Sequence, residues 1–212
     1  MTKTASIIAC YFGSMALRIG LISDTHIPEA RDSLWPQVHE AFDGVDYIFH
    51  AGDIHEFFVL DALEEIAPVY AARGNGEDGS GGRPVQPEDP RVRYAWDLEM
   101  EGVHVGLTHF VPAKLEHPPN VTVARWVERF FPDKTPDVIV YGDTHTELIN
   151  EIDGILCVNP GSPTYPNNYK TQYGTIGFLE LDAGRATPSV WLITDHGIEA
   201  FDWNATRPWR VD

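Results

Sequence analysis

Three times before residue 76 a short apolar run stops abruptly in polar residues, and this punctuation constrains the fold more than any other feature of the chain. Residues 18–23 (RIGLIS) give way to Asp24-Thr25-His26, residues 46–50 (DYIFH) to Ala51-Gly52-Asp53, and residues 69–72 to Arg73-Gly74-Asn75. Short runs rich in Ile, Val and Phe, bounded by turn residues, read as buried strands. Between them, residues 34–42, stopped at Gly44, and residues 57–66, stopped at Pro68, carry apolar side chains at helical spacing. Strands alternating with helices predict a parallel α/β sheet, where ligands gather beyond the carboxyl ends of the strands. All three polar turns fall at those ends.

The pattern then changes. Residues 77–90 hold several Gly and Pro without periodicity and read as a long surface loop. Residues 92–100 and 103–108 predict two antiparallel strands joined at Glu101-Gly102, the second running into His109. A helix over about 121–131 precedes another buried strand, 137–141 (DVIVY), which ends in Gly142-Asp143-Thr144-His145. Residues 148–152 and 155–158 predict a hairpin across Asp153-Gly154 that leads to Asn159-Pro160-Gly161-Ser162, and residues 174–181, 189–194 and 196–203 read as a β meander. At about 150 residues per domain, a 212-residue chain is expected to form one domain, 1–212. Within it, residues 1–15 are expected to be a non-essential extension, since the apolar patch after Lys3 is too short for a signal peptide.

Charge narrows the partners. The formal net charge is −17, with no basic stripe, and nucleic-acid binding draws most of its affinity from Lys and Arg on phosphates. Neither a nucleic acid nor a membrane surface is an expected partner. No apolar run approaches the roughly 20 residues of a membrane span. Cys10 and Cys157 both sit in apolar segments, which suits reduced thiols and a cytoplasmic protein.

The polar residues at the strand ends are Asp24, His26, Asp53, Asn75, His109, Asp143 and His145. All offer oxygen or imidazole donors and none is Cys, which argues against a structural zinc site and for a mixed N/O site with open positions. Such a set can hold two divalent cations with one Asp shared, and two-metal sites hydrolyse phosphoesters.

Taken in order, D-x-H at Asp24 and His26, G-D at Gly52 and Asp53, G-N at Gly74 and Asn75, T-H at Thr108 and His109, and G-x-T-H over 142–145 resemble the calcineurin-like metallophosphoesterases. Asn159-Pro160-Gly161-Ser162 resembles the closing block of its small bacterial and archaeal phosphodiesterase branch. The resemblance implies an α/β fold, a four-layer α/β/β/α sandwich of two mixed sheets flanked by helices with a dimetal site at one edge. Carried over position by position, Asp24, His26, Asp53 and His145 would bind the first metal. Asp53, Asn75, His109 and Asp143 would bind the second, with Asp53 and a hydroxide bridging, and Asp53, Asn75 and His109 form the catalytic set. The implied activity is hydrolysis of small phosphodiesters with two divalent ions, Mn²⁺ favoured over Mg²⁺, Zn²⁺ or Fe. The alternative is a non-catalytic protein-binding scaffold, since one relative uses the same fold that way.

Each residue also has a plainer reading. Asp24 and Ser23 could cap a helix, and Asn75 between two glycines could be a turn residue, but capping explains no other strand end. His50, inside an apolar strand, reads as a buried histidine supporting the ligands. His39, His104 and His196 are expected at the surface or in packing, whereas His55 and His117 could reach the site from neighbouring loops. Tyr165 and Tyr169 could line a substrate pocket. Three departures from the family pattern stand out: Gly76 replaces the His that often follows the Asn, Asp143 replaces the first His of G-H-T-H, and the basic residue that often follows the N-P-G-S block at a short distance is missing, Pro166 being followed by Asn167 and Asn168.

Overall fold

The computed structural model describes residues 16–112 and 123–206. The expected helix start at 121, the 1–15 extension, Cys10 and His117 lie outside the described residues.

The first half alternates as the apolar runs require: β1 (Leu17–Ile22), α1 (Pro36–Phe42), β2 (Tyr47–His50), α2 (Phe58–Glu64) and β3 (Val69–Ala72). A single helical turn, α3 (Asn75–Asp78), follows, then β4 (Val92–Arg93), β5 (Ala95–Met100) and β6 (Val103–Thr108). After α4 (Val123–Phe130) come β7 (Val138–Val140), β8 (Leu148–Ile152), β9 (Ile155–Asn159), β10 (Thr175–Asp182), β11 (Arg185–Thr194) and β12 (Gly197–Ala200). They form a seven-stranded sheet, β12-β11-β10-β1-β2-β3-β4, and a five-stranded sheet, β5-β6-β7-β9-β8. Both are mixed. β1 to β4 run parallel, as do β6, β7 and β9, and the remaining pairs are antiparallel.

Strand alternation dictates the layers. Ile19, Leu21, Phe49, Leu179 and Leu181 of the first sheet face Val105, Leu107, Val138, Val140 and Val158 of the second and make the central core. On the other faces, Val38, Phe42, Leu60 and Leu63 of α1 and α2 pack on Ile22, Ile48 and Ala71. Trp126 and Val127 of α4 pack on Ile139 and Cys157. The result is the four-layer α/β/β/α sandwich expected from the family resemblance.

Two details differ from the expectation. Residues 92–100 are not one strand: the chain breaks at Tyr94, so β4 pairs with β3 in one sheet while β5 pairs with β6 in the other. Trp96 pins the crossing, buried between the sheets with its indole N–H donating to the Ala71 carbonyl at 2.9 Å. The meander's second strand begins at Arg185 and runs through Pro188, which the sequence pattern placed before the strand. β12 pairs only with residues 191–194, so β11 is an edge at Pro188 and the missing N–H costs no ladder bond.

The hairpin at Glu101-Gly102 and that at Asp153-Gly154 both form, and Ala183-Gly184 makes a third. In each, two successive positive φ angles match the turn to the right-handed strand twist.

Candidate metal centre

The carboxyl ends of β1, β2 and β3 in one sheet and of β6, β7 and β9 in the other meet at a single edge. Asp24 and His26 follow β1, Asp53 and His55 follow β2, Asn75 opens α3 after β3, His109 follows β6, and Asp143 and His145 follow β7. Nine described non-glycine residues have positive φ; three turn the hairpins and the other six are Asp24, His26, Asp53, His55, Asp143 and His145. Left-handed backbone at a non-glycine residue is strained, though Asp and His bear it best, and such strain concentrates at functional sites. Gly52, with φ at 92°, turns the β2 loop where any side chain would run into the His109 ring.

Two groups of donors result. Asp24, His26, Asp53 and His145 offer ligand atoms that all lie within 4.8 Å of one another. Beside them, His109 Nε2 faces three oxygens: Asn75 Oδ1 at 3.2 Å, Asp53 Oδ1 at 3.4 Å and Asp143 Oδ1 at 3.6 Å. Asp53 belongs to both groups. All seven side chains named from the sequence therefore converge.

His109 Nδ1 donates to the Ala51 carbonyl at 2.8 Å and His145 Nδ1 to the Tyr165 carbonyl at 2.7 Å. Each Nε2 lone pair is thus aimed at carboxylate oxygens, for His145 at Asp24 Oδ1, 3.7 Å away. Asp24 Oδ2 is buried without a hydrogen-bond partner, and the buried His26 Nε2 faces Asp53 Oδ2 at 3.3 Å. Lone pairs crowded against oxygens are stable only around a positive charge, so these residues fit a divalent cation in each group.

Proton affinities express the same crowding. Burial pushes Asp24 up to about 7, despite the opposing charge of His109. Burial also works to raise Asp53, but the His26 hydrogen bond, the His109 charge and the Gly76 N–H outweigh it and hold this carboxyl well below the usual range. For His109, burial works downward, yet Asp24, Asp53, the Ala51 carbonyl and Asp143 together raise its pKa.

Several residues shape the loops without joining either group. His50 is buried, and desolvation lowers its pKa to about 3, keeping it neutral. Its Nδ1 accepts from the Gly52 N–H at 3.3 Å, which leaves Nε2 to donate to Thr25 Oγ1 at 3.0 Å. His50 thereby ties the β1 loop to the β2 loop, the supporting role expected of it. His55 does reach the site: its ring centroid is 4.3 Å from that of His26, and Nδ1 donates to Glu29 Oε2 at 2.7 Å. His104 is buried in a contact with Asp97, far along β6 from the site, while His196 is exposed and His39 lies on α1.

Glu77 corrects the surface-loop expectation for 77–90. It is fully buried, and its carboxylate accepts the N–H groups of Asp53 at 3.2 Å, His55 at 2.8 Å and Gly74 at 2.8 Å. The available signal was its position, three residues after the Gly74 N-cap, where an acidic side chain returns to the cap.

The N-P-G-S block is a clasp. Ser162 Oγ donates to the Asp24 carbonyl at 2.7 Å, Thr164 Oγ1 to the Thr25 carbonyl at 2.6 Å, and Asn159 Nδ2 to the Gly142 carbonyl at 2.7 Å. Tyr165 packs near His26 and His145, whereas Tyr169 is 95% exposed and stands apart.

Residues 17–184 match the calcineurin-like phosphoesterase superfamily domain. A probable metallophosphoesterase of Methanothermobacter thermautotrophicus is 35% identical over 148 residues, covering 70% of this chain and 78% of the relative. A phosphodiesterase of Methanocaldococcus jannaschii is 27% identical over 176 residues, covering 78% of this chain and 94% of its own. In fold, vacuolar protein sorting 29 from Cryptosporidium parvum superposes with a TM-score of 0.68 at 20% identity, covering 88% of this chain and 96% of that one.

Proposed function

The chain belongs to the calcineurin-like phosphoesterase superfamily, and we propose that it hydrolyses small phosphodiesters at a dimetal site. One observation carries the reading: seven Asp, His and Asn side chains from five strand ends converge on two adjacent points, with Asp24 Oδ2 buried there without a partner. We assign Asp24, His26, Asp53 and His145 to one cation and Asp53, Asn75, His109 and Asp143 to the other.

Two divalent ions, when bound, supply Lewis-acid charge at the phosphoryl oxygens and lower the pKa of a water. The protein supplies the rest. Asp53, held ionised, joins the two groups and is fixed by Gly76 N–H at 2.8 Å. The carbonyls of Ala51 and Tyr165 lock His109 and His145 in the tautomer that presents Nε2. Asp143 and Asn75 bring hard oxygen donors to the second group, which favours Mn²⁺ or Mg²⁺ over Zn²⁺ there. The net charge of −17 turns away long polyanions and leaves small esters as substrates. A cytoplasmic setting suits Cys157, buried and unpaired; among the described residues no helix is long and apolar enough to cross a membrane.

The scaffold reading rests on the fold alone and does not account for the seven converging side chains. Metal-stripped protein given Mn²⁺ should hydrolyse bis(p-nitrophenyl) phosphate, and chelation should reverse the gain. A protein that binds Mn²⁺ yet leaves the diester intact would overturn the assignment.

A further inference from the structure

Asn75, His109 and Asp143 form one wall of a cleft of about 420 Å³. That is far more room than a phosphate needs and falls within the usual range of small-molecule sites. The cleft is also lined by aromatic side chains from three separate segments: Tyr94 at the break between β4 and β5, Phe110 just after β6, and Trp126 and Phe130 on α4. The Trp126 and Phe130 rings lie 5.1 Å apart and tilted by 39°, and the Arg129 guanidinium sits 5.3 Å from the Phe130 centroid. Tyr94 leaves 57% of its surface exposed, although it is a large ring beside other rings.

We propose that this cleft binds a nucleobase, which makes nucleoside phosphodiesters the substrate class of the site. The proposal rests on the phosphodiesterase reading above. A phosphate held at Asn75, His109 and Asp143 places one of its ester substituents in the cleft, because the two share a wall. Aromatic rings stack on the face of any base, and an arginine beside them offers donors to the ring nitrogens and carbonyls at a base's edge. An alkyl substituent would use the apolar rings but not the guanidinium. A polynucleotide is disfavoured by the overall charge and by Asp78, which also lines the cleft.

Two probes that differ only in the base separate this from simple phosphate binding. AMP should bind the Mn²⁺-loaded protein about tenfold or more tightly than ribose 5-phosphate by calorimetry, in keeping with the worth of one stacked base. Tyr94→Ala and Phe130→Ala should each bring AMP close to ribose 5-phosphate, whereas Tyr94→Phe should keep the preference. Equal affinity for the two probes, or a preference that survives both alanine variants, would overturn the nucleobase site. If bis(p-nitrophenyl) phosphate is still hydrolysed in that case, the phosphodiesterase reading stands and only the cleft assignment falls. Absence of both hydrolysis and AMP binding would overturn the two together.

Discussion

The His55 imidazole occupies the space in which a side chain at Gly76 would begin: a methyl group on Gly76 would lie 2.6 Å from His55 Cδ2. Two loops that follow different strands therefore interlock, one giving up its side chain to make room for the other's ring.

That interlock predicts coupled stabilities. Gly76→Ala should destabilise by about 1–3 kcal/mol, the usual cost of overpacking a filled site. In a His55→Ala background the same change should cost far less, because the ring it collides with is gone. A double-mutant cycle by urea denaturation reads the difference; additive effects would show that the ring moves aside freely.

Asp53→Asn should leave the fold intact and reduce diester hydrolysis by about a hundredfold or more, since a neutral amide cannot hold two cations together. The amide oxygen can still accept the Gly76 N–H that Asp53 accepts at 2.8 Å, so circular dichroism and thermal melting should stay near the parent. Activity within tenfold of the parent would contradict a shared ligand at this position.

Metal affinity should depend on pH through Asp24. Burial raises this carboxyl to about 7 in the metal-free protein, so a cation binding at lower pH displaces its proton. Affinity should climb by roughly tenfold per pH unit for each proton released, and the share that belongs to Asp24 should level off above about pH 7. Folding of the metal-free protein responds in the opposite sense. The raised pKa stabilises the fold fully below the ordinary carboxylate value of 3.8, and that contribution is lost as pH rises through about 7. Mn²⁺ titrations and melting curves run from below pH 3.8 to above pH 7 check both slopes.

Asp143 is 38% exposed at its side chain, so substitution there should be structurally mild. Asp143→Ala should lower bound metal from two ions to one by elemental analysis; an unchanged count would place Asp143 outside the second group. Asp143→His, which removes one negative charge, should move the pH optimum of hydrolysis downward and the metal preference toward Zn²⁺.

The seven converging residues were legible because each ends an apolar run, and a polar side chain at a parallel strand's carboxyl end has one edge to point toward. His50 could be read for the same reason in reverse, as the lone polar residue inside such a run. The switch of sheets at Tyr94 could not, because the residues on either side keep a strand pattern and only Trp96, reaching Ala71, selects the crossing. Glu77 was lost among glycines and acidic residues, where charge suggests solvent and only three backbone N–H groups from elsewhere say otherwise. The aromatic lining of the cleft was invisible too: Tyr94, Phe110 and Trp126 become neighbours only once both sheets and α4 are in place.

The Ser162 bond to the Asp24 carbonyl spans 138 positions, and that of Thr164 to the Thr25 carbonyl spans 139. During synthesis the first ligands leave the ribosome long before the hydroxyls that hold their backbone, and contacts this distant in sequence are among the last a chain can close. The backbone of Asp24 and Thr25 is thereby fixed only by residues made after every other member of the two donor groups.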